Sequence, residues 1–167
     1  EDWINLFAGI AETLAARGYE YEFFTNGLPN DVKLGRKVLE KLGLPESYLV
    51  KRPVTDTELY ATIGQYAGLI TCRMHSSIAS FTLGIPTVIL SWNDKVVKLM
   101  DIIGYPERAI TLDQFDPAFI VDRFEAALAE GVADDKIEAM KARALESVTD
   151  YIDLIIEAVT AAVDADV

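Results

Sequence analysis

Only one cysteine, Cys72, and one histidine, His75, occur among the 167 residues. A lone thiol excludes an internal disulfide, and one thiol with one imidazole cannot build a Cys/His metal site. The expectation is therefore a reducing, cytoplasmic setting, with no metal ligands singled out. Basic residues are scarce: 15 Lys and Arg against 27 Asp and Glu leave a net charge of −12. Such a field repels nucleic acid and anionic membranes, so an anionic ligand needs a local basic pocket. Long apolar runs are missing, which argues against a transmembrane segment, and the first residues do not read as a signal segment. Neither a phosphate-loop signature nor a dinucleotide glycine fingerprint occurs, so ATP and NAD are not expected.

What is present is an ordinary globular composition, 51% apolar and 25% charged. Its punctuation is regular. Trp3, Leu6, Phe7, Ile10 and Leu14 recur at helical spacing up to Gly18. "YEYEFF" at 19–24 alternates and reads as a strand. Pro29 and Asp31 suit the first turn of a helix running to Gly43. "YLVKRP" at 48–53 reads as a strand, and Thr55 or Asp56 as the cap of a helix closed by Gly68. "LITC", "PTVILSW" and "RAITL" read as further strands. Helices follow them: "SSIASFTL" to Gly84, "DKVVKLMDII" to Gly104, and a span across Phe119–Leu128. A long terminal helix over 131–167 carries the stripe Ile137, Met140, Ala144, Val148, Ile152, Ile155 and Val159.

Helix and strand thus alternate about five times, which implies an α/β fold with a parallel sheet covered by helices on both faces. Residues 1–167 read as one Rossmann-like unit, with the best internal break near Gly131–Asp134. In such sheets ligands bind beyond the carboxyl ends of the strands, beside the helix N-termini. Arg73 and His75 fall just after "LITC", and Ser76 or Ser77 is placed to cap the next helix. Free amides at that terminus favour an anion, Arg73 can grip a carboxylate or phosphate, and His75 can move a proton near neutral pH. Asp94 and Lys95 follow the next strand on the same sheet edge, where Asn93 or Asp94 reads equally well as a helix cap and Lys95 as a solvated lysine. Thr25 and Asn26 end an earlier strand and are candidates to line the cleft, although a plain Asn26-Gly27 turn is the safer reading. Trp92 could stack on a sugar ring, although a core position is the safer reading. Cys72 reads as a buried apolar residue.

"GLITCRMHSSIASFTLGIPTVILSWNDKV" resembles the carboxyl-terminal part of the polysaccharide pyruvyl transferase family. The features that carry the likeness are Arg73-Met74-His75, the following helix of small and apolar residues, Gly84-Ile85-Pro86, and Trp92-Asn93-Asp94-Lys95-Val96. Upstream, "FFTNGLPND" with its acidic Asp31 resembles the family's strand-loop-helix start.

The resemblance implies one half of a two-domain architecture similar to the GT-B glycosyltransferases, with the active cleft between two Rossmann-like halves. It also implies transfer of the enolpyruvyl unit of phosphoenolpyruvate to sugar hydroxyls as a ketal, without another cofactor. On that match His75 is the candidate general acid and Arg73 the anion clamp, with Ser76, Ser77, Asp94, Lys95 and Asn26 as binding candidates. The expected partners are a phosphorylated donor, a sugar or glycan acceptor and a missing N-terminal domain, without which the chain is expected to bind weakly and not turn over. Two other classes remain open: a nucleotide-sugar domain of a GT-B glycosyltransferase or epimerase, and a non-catalytic glycan- or partner-binding module.

Overall fold

The computed structural model describes residues 2–26 and 29–165. The expected Asn26-Gly27 turn therefore falls partly outside the described residues, as do the last two residues of the terminal segment. The chain divides into two units, residues 1–132 and 133–167.

In the first unit, α1 (Asp2–Ala16) and α2 (Pro29–Leu42) precede α3 (Asp56–Ile63). Then β1 (Leu69–Thr71), α4 (Met74–Thr82), β2 (Thr87–Ser91), α5 (Asp94–Ile103), β3 (Ala109–Thr111) and α6 (Pro117–Glu130) alternate. The strands form a parallel sheet in the order β1-β2-β3, with Ile70 opposite Val88 and Leu90 opposite Ile110. A parallel neighbour needs a crossover, and α4 and α5 supply the two crossovers here.

All five residues of β2 are buried, as a strand with helices on both faces requires. Alternation sends Val88 and Leu90 to one face, where they pack with Ile10 of α1 and Ile120, Val121 and Phe124 of α6. Thr87 points to the other face, where its hydroxyl donates to Ser80 Oγ of α4 at 2.6 Å. Arg17 fastens α1 to α6 through Asp122 and Glu125. Buried Arg108 lies over the Tyr105 ring and donates to Glu130 and to the Gly131 carbonyl at the end of α6.

Where caps are local, sequence and structure agree: Thr55 accepts from the Glu58 amide, and Asn93 accepts from Lys95 and Val96. Gly104 closes α5 in the left-handed conformation, φ 86°. Elsewhere the structure corrects the sequence. Segments 19–24 and 48–53 are not ladder strands; among the described residues they meet in a single parallel bridge, Phe23 to Leu49. Among the described residues the sheet therefore has three strands rather than five. α3 stops at Ile63, and Gly68 serves a different purpose from ending it. A Cβ at Gly68 would lie 2.6 Å from Phe124 Cε2 and 2.7 Å from Leu128 Cδ2, so glycine lets the chain pass close under α6.

The second unit is one helix, α7 (Asp134–Ala165), of 32 residues. Val148, Ile152, Ile155 and Val159 of its apolar stripe are exposed. Among the described residues no helix is long and apolar enough to cross a membrane.

Candidate active site at the carboxyl end of the sheet

No ladder joins segment 19–26 to the free edge of β1, and a cavity of about 290 Å³ opens between them. That volume lies near the lower end of the roughly 300–1,000 Å³ of small-molecule sites. Apolar side chains such as Phe7, Leu34 and Phe124 line it, together with the rings of Tyr21, Phe24 and Tyr66. Two side-chain ties bracket it. Tyr66 Oη donates to Glu22 Oε2 at 2.7 Å, and Arg73 donates to Asp31 Oδ1 at 2.5 Å.

The second tie marks the polar end, where β1 runs out and α2 and α4 begin. Arg73 is the residue before α4, and its backbone amide donates to Thr71 Oγ1 at 3.1 Å. Asp31 sits in the first turn of α2, where a carboxylate is favoured by the helix dipole. Gly35 is one turn further along the same face. A Cβ there would meet Leu49 Cδ1 at 3.0 Å and Thr25 Cγ2 at 3.8 Å, so Thr25 lies against this side of α2. Arg73 is thus not a free guanidinium. Pairing with Asp31 orients it and leaves its remaining N–H groups as donors.

Of the residues singled out from sequence, the structure brings Arg73, Ser76 and Asn26 to this cavity. His75 lies in the same turn as Ser76 but is exposed and does not line the cavity. Asp94 and Lys95 are exposed at the start of α5, outside that lining. Neither serine caps α4. The capping position is Arg73, with no side-chain cap bond, while Ser76 and Ser77 are buried inside the first turn. Ser77 Oγ donates to the Met74 carbonyl at 2.7 Å. Local propensity favoured a serine cap, but β1 ends early enough to start the helix before either serine. Trp92 is 58% exposed beside Asp94, not in the core.

Cys72 also lines the cavity, partly buried. Burial pushes its thiol up; Arg73 opposes this and Asp31 adds to it. Burial, reinforced by the bond to Glu22, likewise raises the Tyr66 phenol. Among the described residues no group of three or more His, Cys, Asp or Glu is placed to hold a metal ion. Thr25, a cleft-lining candidate from sequence, does line the cavity, whereas Asp31 was not expected as a site residue because only the fold sets it against Arg73. The short spacing of Thr25, Asn26 and Asp31 after a β-like run was the available signal.

The profile of the polysaccharide pyruvyl transferase family matches residues 3–94, more than half of the chain. The chain belongs to that family. The matched region takes in Thr25, Asp31, Arg73 and Ser76 at the polar end of the cavity and His75 beside it, and reaches Asp94. No curated protein matches the chain, and no solved structure does. Membership of a transferase family gives the cavity a chemical context, since the chain places an arginine, a carboxylate and hydroxyls in one crevice.

Proposed function

We propose that the chain is the donor-side half of a pyruvyl transferase that moves the enolpyruvyl unit of phosphoenolpyruvate onto sugar hydroxyls. The observation that carries this reading is Arg73-Met74-His75 at the carboxyl end of β1, inside the region matched by the family. The reaction joins one phosphoenolpyruvate to two hydroxyls of a sugar. One hydroxyl proton ends on the methylene carbon, which becomes a methyl group; the other leaves with phosphate. Two C–O bonds form at the carbon that loses the phosphate oxygen.

His75, solvent-facing beside the crevice, delivers the proton to the methylene carbon. That step asks for a group that can carry and release a proton within reach of the carbon, which an imidazole does. Arg73 supplies the positive charge for carboxylate or phosphate, oriented by Asp31, and the first-turn amides of α4 add dipolar stabilisation for the departing anion. Trp92, Asp94 and Lys95 lie on the same sheet edge, where an exposed ring and two charged groups suit a sugar. A second domain across the crevice supplies the rest of the acceptor site, so the chain alone binds without turning over.

The test is phosphate release from phosphoenolpyruvate with a sugar acceptor, using the protein that carries this chain. His75→Ala is expected to lower kcat by about 100-fold or more. Arg73→Ala is expected to cost about 10- to 100-fold, chiefly in KM for phosphoenolpyruvate. Unchanged rates in both variants would overturn the reading.

A further inference from the structure

Among the described residues, three oxygens on side chains that line the cavity are buried without a hydrogen-bond partner: Thr25 Oγ1, Asp31 Oδ2 and Ser76 Oγ. Ser76 is 1% exposed, so bulk water does not satisfy it. Buried polar atoms are nearly always paired, and a cluster of unpaired ones beside a cavity marks where a ligand completes the bonds. The chemistry of the three atoms restricts that ligand. Asp31 Oδ1 is already taken by Arg73, and Oδ2 of this ion-paired carboxylate only accepts. Its partner must therefore donate. A carboxylate or a fully ionised phosphate has no proton to give and would be repelled by the oxygen it met. A hydroxyl donates to Asp31 and can also accept from Thr25 or Ser76, whose own hydroxyls do both. Tyr21, Phe24 and Tyr66 line the adjoining space and offer faces for the C–H surface of a sugar ring.

We propose that Thr25, Asp31 and Ser76 form a hydroxyl-binding corner for a pyranoside, with Asp31 Oδ2 as the acceptor that discriminates neutral hydroxyls from anions. Arg73 separates two functions: one nitrogen is committed to Asp31, while its other donors remain for the anionic donor substrate. The role of the bound sugar as acceptor rests on the transferase reading above; the hydroxyl selectivity does not.

The experiment titrates the 167-residue chain with methyl β-D-glucopyranoside and, separately, with its tetra-O-methyl derivative, which keeps the ring but has no hydroxyl to donate. Amide signals of Thr25, Asp31 and Ser76 are followed by NMR. Saturable shifts with the glycoside, and binding at least about tenfold weaker for the methylated sugar, are expected for a site that loses a hydrogen bond to a charged acceptor. Asp31→Asn should weaken the glycoside by about tenfold or more. Ser76→Ala, which breaks no internal hydrogen bond, keeps the fold and should weaken it about fivefold. Equal binding of both sugars, phosphate displacing the glycoside from these amides, or no response because water alone fills the corner would each overturn the proposal. A parallel titration with phosphoenolpyruvate, read at the His75 ring, separates the two inferences. If His75 stays silent while the glycoside binds, the transferase reading falls and the hydroxyl corner stands.

Discussion

On its β2 side, β1 is zipped by a parallel ladder from Leu69 to Thr71, and the hydroxyls just beyond are paired. Ser80 Oγ donates to the Ser77 carbonyl at 3.0 Å and accepts from Thr87 at 2.6 Å. On its other side, β1 faces segment 19–26 across a cavity, and the hydroxyls of Thr25 and Ser76 have no partner among the described residues. Both regions bury serine within the same nine-residue helix, α4. One serine set closes the fold; the other leaves bonding capacity unused. The lesson is that burial of a polar side chain does not by itself say whether it stabilises. Its partner count does.

The largest expected difference comes from truncating each side. Ile89 in β2 is fully buried, so Ile89→Ala should cost about 2–5 kcal/mol, read as a fall in the urea midpoint. Phe23 on the open side is half-buried, so Phe23→Ala should cost less than about 2 kcal/mol. A Phe23 loss equal to that at Ile89 would erase the contrast. Next comes Gly68→Ala, which forces a methyl against Phe124 and Leu128 and should cost about 1–3 kcal/mol by thermal melting.

A finer test uses the two serines. Ser80→Ala should destabilise by about 1 kcal/mol, whereas Ser76→Ala should stabilise by about 0.5–1 kcal/mol, because it removes a buried hydroxyl that nothing satisfies. Equal signs in the two melting curves would show that the corner is not under strain.

The smallest effect concerns Cys72. Its thiol is raised in the folded chain, chiefly by burial, so iodoacetamide should react with the native protein only at higher pH than with the urea-unfolded one. The unfolded thiol ionises first, near pH 8.5. The linked stability is therefore full below that pH and is lost as pH rises towards the folded value. Arg73→Ala removes the charge that lowers the thiol, and should shift the native profile further up.

Much of the architecture was legible because its signals are local. Thr55 and Asn93 announce helix starts through their own side chains, and Gly18, Gly43, Gly84 and Gly104 mark ends where the chain turns left-handed. The run "PTVILSW" reads as a buried strand without any knowledge of its neighbours. Less legible was whatever depends on a distant partner. "YEYEFF" has the alternation of a strand, yet a ladder requires an edge at the right distance, and β1 is not there for it. Arg73 and His75 could be singled out by their place after a strand, but side-chain direction could not. Arg73 meets Asp31 across 42 residues, and His75 turns to solvent.

The two ties that bracket the cavity, Tyr66 to Glu22 and Arg73 to Asp31, act as a clasp on an unzipped seam. A seam held by side chains rather than backbone is soft: ion strength and occupancy set its width, where a ladder would fix it. Arg73 fastens the first turn of α2, and with it one wall of the cavity. Whatever draws Arg73 away from Asp31 therefore also loosens the wall that faces β1.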